Sequence, residues 1–197
     1  ISGSTLLLTS FGMDWKAILF FFGLGLLSIL AAVAYTVGKK PYRYAGLGDL
    51  SGLIFFGLLG VMGSHYLFTK QFTLLEILPA LSCGLFSMAV LNINNIRDID
   101  SDRKAGKYSV PVRIGREKAI IYHWVLLMAG ILSALLYTAV NFNSQWQFLF
   151  LLSVPLFLLN GKAIGSKPSH ELDPYLKQMA LSTLLFVILF GIGLILS

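Results

Sequence analysis

Six stretches of about twenty apolar residues run through a chain of only 197. They are Ala17–Val37, Leu50–Thr69, Leu74–Ile96, Ala119–Val140, Gln147–Ile164 and Gln178–Ser197. A hydrocarbon core about 30 Å thick is crossed by about twenty residues of α-helix, because each residue rises about 1.5 Å. Helix is the natural choice for such segments, since lipid offers no partner to an unpaired N–H or C=O. The sequence therefore predicts an all-α integral membrane protein. The charged share is 12% and the hydrophobic share 56%, against about 25% and 45–50% in soluble domains, which excludes a water-soluble globule. The fifth stretch is interrupted by Pro155, and Ile1–Met13 reads as the end of a further span.

Charge placement tests this division. If the loops after spans one, three and five share one side, all fifteen Lys and Arg fall there except Lys16 and Lys70. That side is expected to be cytoplasmic, and the net charge of +6 then reports orientation rather than a nucleic-acid partner. The single cysteine, Cys83, lies in an apolar run and allows no intrachain disulfide. Glycine pairs in the spans (Gly23 and Gly25, Gly57 with Gly60 and Gly63, Gly191 and Gly193) are expected to allow close helix packing. His65, His123 and His170 are too scattered for a metal triad and read as packed or interfacial residues. No linker or composition shift divides the chain, so residues 1–197 form one membrane-embedded domain.

Acidic residues crowd where the third span leaves the membrane. In a continuous helix Asn94, Asp98 and Asp102 share one face at i, i+4, i+8, with Asn95 beside them and Asp100 turned away. Asp98 and Asp102 repel each other, and the helix C-terminus adds partial negative charge. Two remedies exist. Nearby Arg97, Arg103, Lys104 or Lys107 pair with the carboxylates in a solvated loop, or a divalent metal binds them, as Mg²⁺ does with one or two carboxylates and substrate phosphates. Asn92, Asn94 and Asn95 favour the second, because buried amides need partners. After the first span, Tyr35 and Lys39 again stand at i, i+4. A phenol, an ammonium and the Arg43 guanidinium together suit a diphosphate, although Tyr followed by Lys also ends many membrane helices. The Arg97–Lys118 segment, with Gly106, Pro111 and Gly115, is long enough to cap this face.

The strings Asn94-Asn95-Ile96-Arg97-Asp98-x-x-x-Asp102-x-x-x-Gly106 and Val112-Arg113-Ile114-Gly115 make the sequence similar to the UbiA superfamily of intramembrane prenyltransferases. Tyr35-x-x-x-Lys39, Pro41-Tyr42 and Gly46-Leu47-Gly48-Asp49 resemble its MenA type in particular. The resemblance implies a nine-helix bundle, of which the six spans correspond to the fourth to ninth helices. It implies Mg²⁺ as cofactor, held by Asp98 and Asp102, with Lys39 on the diphosphate and Tyr35, Arg43 and Asn95 supporting. The implied substrates are an isoprenyl diphosphate and an aromatic acceptor, 1,4-dihydroxy-2-naphthoate in menaquinone biosynthesis, at the cytoplasmic face of the bacterial inner membrane. A 4-hydroxybenzoate or homogentisate type is the neighbouring reading, and a non-enzymatic transporter or remnant the rival from another class. The family's first motif, Asn-Asp-x-x-Asp, does not occur in these residues. The N-terminal third of the bundle is therefore expected to lie outside them, and these residues alone are expected not to catalyse transfer.

Overall fold

The computed structural model describes residues 2–38 and 41–197, and among them there is helix and no strand. Six helices are long and apolar enough to cross a membrane: Trp15–Thr36, Gly48–Thr69, Leu74–Arg97, Arg116–Val140, Gln145–Ser166 and Asp173–Ile195. They match the expected spans, with one shift of note. The last helix starts five residues early, because Asp173 and Pro174 supply a first turn that needs no N–H donor from proline. A short helix, Ser2–Phe11, precedes the first span. Asp14 caps that span by accepting from the backbone N–H groups of Lys16 and Ala17.

Two spans are irregular, each with a local cause. Gln145–Ser153 winds as a tight 3₁₀ helix and becomes α-helical at Val154, where Pro155 lacks the N–H that the preceding turn would use. Gly52–Met62 is wound as a wide π-helix, which the sequence pattern did not signal. Gly57 in this segment lies against Gly84 of the third span, and a Cβ at residue 57 would sit 2.8 Å from the Gly84 Cα. The backbones touch there, as small residues permit in membrane interfaces. Gly193 likewise meets the Trp146 backbone, whereas Gly23, Gly25 and Gly191 face open space.

The core lies between the third, fourth, fifth and sixth spans. Phe86 stacks on Phe157 at 4.4 Å between centroids and meets Phe186 edge-on at 4.9 Å. Phe150 packs edge-on against Phe186 at 5.6 Å. Ser82 crosses to the fourth span, its hydroxyl donating to the Gly130 carbonyl at 2.8 Å. His123 is fully buried, and one ring nitrogen lies 3.1 Å from the Asn160 amide oxygen. Asn160 in turn donates to the Tyr175 carbonyl at 2.9 Å, so this polar chain joins three spans. The first span, by contrast, shows long apolar side chains outward, Leu19, Phe20 and Leu27 among them. An apolar groove of about 510 Å³ separates it from the second span.

The loops alternate between two ends. At one end Tyr137 donates to Glu76 at 3.3 Å, and His65 lies 3.8 Å from the same carboxylate. At the other end the segments after spans one, three and five touch. Arg116 reaches the Ser169 hydroxyl at 2.8 Å and the Lys167 carbonyl at 2.5 Å, and Ser169 donates to the Ile96 carbonyl at 3.3 Å. This second end carries nearly all the basic residues and both candidate aspartates.

Candidate active site at the charged membrane face

The third span ends at Arg97, and Asp98 (φ −97°, ψ 12°) hinges it to a short helix, Ile99–Lys104. The break is mild. Asp98 N–H still donates to the Asn94 carbonyl at 3.1 Å, and Asp102 N–H to the Asp98 carbonyl at 2.8 Å. Helical register therefore persists, but the two carboxylates have separate partners. Both oxygens of Asp98 accept from the Arg97 fork, each at 2.8 Å. Arg97 also donates to the Asn94 amide oxygen at 2.9 Å and to Asp173 of the last span. The guanidinium holds the Asp98 carboxyl below the usual carboxylate range, with burial opposing it and the more distant Lys107 charge helping. Asp100 is exposed.

Asp102, 9% exposed, is reached by a different route. The short helix closes in a Schellman turn: Lys107 N–H donates back to the Asp102 carbonyl at 2.8 Å and Gly106 N–H to Arg103 at 3.2 Å. Gly106 takes φ +70° to allow it. The reversal returns the Lys107 ammonium to the Asp102 carboxylate, Nζ to Oδ2 2.8 Å. The same ammonium donates to the Asn95 amide oxygen at 3.1 Å, and Ser109 adds a long contact to Asp102 at 3.4 Å. The sequence offered Lys107 only as one of several pairing cations. Gly106, five residues after Ser101 and just past the helix, was the signal that could have singled it out. Asn92 serves structure, donating to the Ala119 carbonyl at 3.0 Å.

The loop after the first span meets this turn. Pro41 leads into a 3₁₀ turn, Tyr42–Ala45, which ends at Gly46 with φ +75°. Tyr108 N–H donates to the Tyr44 carbonyl at 2.8 Å. Arg113 donates to the Ala45 carbonyl at 2.6 Å and the Tyr108 carbonyl at 2.9 Å, stitching the loops together. The segment expected to cap this face folds as Ile99–Lys104, a second short helix Val110–Ile114 begun by Pro111, and the intervening turn.

Between the two loops lies a narrow cleft lined by Tyr35, Arg43, Asp49, Asn95, Lys107 and Ser109, among others. Its free room is about 10 Å³, enough for one water-sized probe. The structure therefore brings Tyr35, Arg43 and Asn95 together, with Asp102 one contact away through Lys107. Asp98 is drawn instead toward Arg97 and Asp173. Lys39, the remaining expected diphosphate ligand, lies outside the described residues. Tyr35 meets Tyr42 edge-on at 5.2 Å between centroids. Arg43 stands over the Tyr44 ring at 5.3 Å, while its Nε is buried with no hydrogen-bond partner among the described residues. Sequence reading placed Asp49 in a motif but gave it no role in the site. It is 7% exposed and accepts from the Tyr122 hydroxyl of the fourth span at 2.7 Å.

Fold and site together define a multi-pass helical membrane protein whose ionisable groups gather at one face. The chain belongs to the UbiA prenyltransferase family, which residues 1–184 match. It is 47% identical over 178 residues to a 1,4-dihydroxy-2-naphthoate octaprenyltransferase of Haemophilus influenzae, covering 90% of this chain and 58% of that protein. The same name belongs to an Escherichia coli protein, 45% identical with 88% of this chain and 57% of that one covered. A Mycobacterium tuberculosis protein so named is 33% identical, over 83% of this chain and 56% of its own length. The chain thus spans somewhat over half the length of these curated relatives.

Proposed function

We propose that these residues form the diphosphate-binding face of an aromatic prenyltransferase, which moves an isoprenyl group from its diphosphate to 1,4-dihydroxy-2-naphthoate in menaquinone biosynthesis. The relatives' names support the acceptor. The observation that carries the chemistry is the buried Nε of Arg43, without a partner among the described residues, in a cleft shared with Tyr35, Asn95 and Lys107. A buried guanidinium donor without an acceptor costs about 1–3 kcal/mol or more, and an anion that accepts from it removes the penalty. Phosphate oxygens accept from a guanidinium fork in pairs and from an ammonium as a point charge.

Magnesium fits the residues present. Asp102 and Asn95 offer hard oxygen atoms converging on one cation, at present the Lys107 ammonium, and the Ser109 hydroxyl donates to the same Asp102 oxygen. Asp102 and Asn95 would hold the ion, with Asp98 released from Arg97 as a further oxygen ligand. Bound there, Mg²⁺ supplies Lewis-acid neutralisation of the leaving diphosphate. The chain's own groups do the rest. Lys107 turns from Asp102 to the diphosphate, Arg43 and Tyr35 donate to its oxygens, and the cap excludes water from the developing allylic cation. The cleft is too small for a diphosphate as it stands, so the cap opens along the Tyr44–Tyr108 seam to admit it. The charged face is assigned to the cytoplasm on the basic residues.

The test is prenyl transfer by the protein carrying these residues, with and without chelator. Asp98→Ala and Asp102→Ala are each expected to abolish Mg²⁺-dependent transfer with membrane insertion intact. Near-full activity in either variant sinks the ligand assignment. These residues carry only one of the two expected aspartate motifs, so residues 1–197 alone are expected to be inactive, and turnover by them would refute that.

A further inference from the structure

Asp49 is a carboxylate in a cleft otherwise furnished for an anion. Arg43, Lys107, Tyr35 and Asn95 can all donate there, whereas Asp49 can only accept when ionised. Its position is held from three sides. Asp49 lies in the first turn of the second span, and the fourth span reaches it through the Tyr122 hydroxyl, 2.7 Å from Oδ2. Gly48 beside it has no side chain, and a Cβ there would stand 3.1 Å from the Tyr35 hydroxyl and 2.9 Å from Leu91 Cδ2. No described residue donates to its other oxygen, Oδ1, and that atom is not among the fully buried unpaired ones. Lys107, which lines the cleft, is spent on Asp102 and Asn95.

A fixed carboxylate with one oxygen engaged and one free repels a diphosphate and attracts a hydroxyl. The cleft thus combines cationic and neutral donors with one acidic acceptor in its lining. We propose that Asp49, held by Tyr122, accepts a hydrogen bond through Oδ1 from a ring hydroxyl of the aromatic acceptor, and so sets which ring carbon faces the allylic group. This rests on the prenyltransferase reading above. Hydrogen bonding to a carboxylate also raises electron density on the ring oxygen, which favours attack by the ring, with no proton transfer required. Tyr122 is a positioning residue: removing its hydroxyl leaves the carboxylate present but free to turn.

The deciding measurement is discrimination between a free hydroxyl and a blocked one. The protein carrying this chain, in lipid nanodiscs, is titrated with 1,4-dihydroxy-2-naphthoate and with its two mono-O-methyl ethers, following naphthalene fluorescence. The unsubstituted protein is expected to bind the diol at least tenfold more tightly than the weaker ether. Asp49→Asn should reduce that ratio below about threefold, and Tyr122→Phe should bring it to an intermediate value. The KM for isoprenyl diphosphate should change less than twofold in both. A purely structural tether would lower thermal stability while leaving the diol-to-ether ratio intact, and that result overturns the proposal, as does a donor KM raised more than the acceptor affinity is lost. If Asp49→Asn does not accumulate as folded protein, the Tyr122→Phe ratio decides alone. Unsubstituted protein that cannot prenylate the diol overturns the broader reading as well. Prenylation with an unchanged ratio in the variants overturns this one only.

Discussion

The Tyr108 N–H donates to the Tyr44 carbonyl oxygen across 2.8 Å, a backbone link between the loop after the first span and the loop after the third. Only backbone atoms form the bond, so side-chain exchange at either tyrosine leaves it in place. Its geometry depends on Gly46, whose φ of +75° turns the chain away from the seam, and where any Cβ would collide with the Tyr108 carbonyl oxygen.

Gly46→Ala is therefore expected to part the two loops. The left-handed backbone alone costs an L-residue about 1–2 kcal/mol. Gly106→Ala is the internal control, since Gly106 has a similar φ of +70° but nothing within 4 Å of a new Cβ. Gly46→Ala should raise the KM for isoprenyl diphosphate at least fivefold, and Gly106→Ala less. Equal effects would mean that strain, not the collision with Tyr108, governs the site.

Lys107→Met should be worse for folding than Lys107→Arg. Removing the ammonium leaves Asp102, at 9% exposure, beside Asn95 and Ser109 with no cation. A carboxylate stranded in this way costs about 1–3 kcal/mol. For a domain of about 200 residues that lowers the unfolding midpoint by roughly 2–12 °C. Mg²⁺ should restore part of the loss by replacing the missing charge, and a thermal-shift titration with and without chelator reads this. A midpoint that ignores Mg²⁺ in Lys107→Met argues against cation binding at Asp102.

The spans were legible in the sequence because the bilayer fixes their length and leaves few registers for a twenty-residue apolar run. The shared face of Tyr35, Arg43, Asn95 and Asp102 was legible because charge alternated between successive loops. The partition of the two aspartates was not. It depends on where Arg97 and Lys107 reach, and Lys107 arrives only through the Schellman reversal at Gly106. Asp49 stood in a quoted motif but received no role, because motif spacing gives it no partner and Tyr122 lies 73 residues further on. The π-helical segment Gly52–Met62 also escaped prediction. Hydrophobic periodicity says little in a segment apolar on all sides.

The pairing of Arg97 with Asp98 sets a pH dependence whose sign is fixed. The Asp98 carboxyl lies below its unfolded value of about 3.9, chiefly through the Arg97 hydrogen bonds. Its contribution to stability is present above that value and is lost as pH falls through the lower folded one. Arg97→Gln removes the fork and leaves burial as the main influence, so the acid limb should move toward higher pH. Unfolding midpoints between pH 3 and 6 read the shift. Superimposable profiles for the two proteins would show that the Arg97–Asp98 pair contributes nothing to folding.

Phe86 is the core residue whose loss should cost most. It is fully buried, stacks on Phe157 and meets Phe186 edge-on, so it joins the third, fifth and sixth spans at one point. Between lipid-embedded helices the transfer from water contributes little to association, and packing carries the contact. The cavity left by Phe86→Ala, about 100 Å³ at about 24 cal/mol per Å³, then costs about 2 kcal/mol. Phe86→Leu retains most of the volume and should lose less than half as much. Gly130 faces the Phe86 ring, with room for no Cβ beside it: one would sit 2.6 Å from Cε1. Gly130→Ala in the Phe86→Ala background should therefore recover part of the loss that Gly130→Ala inflicts on the unsubstituted protein. Unfolding of the two single variants and the double variant in detergent gives the coupling. Strict additivity would mean that the ring and the glycine do not share the space their positions imply.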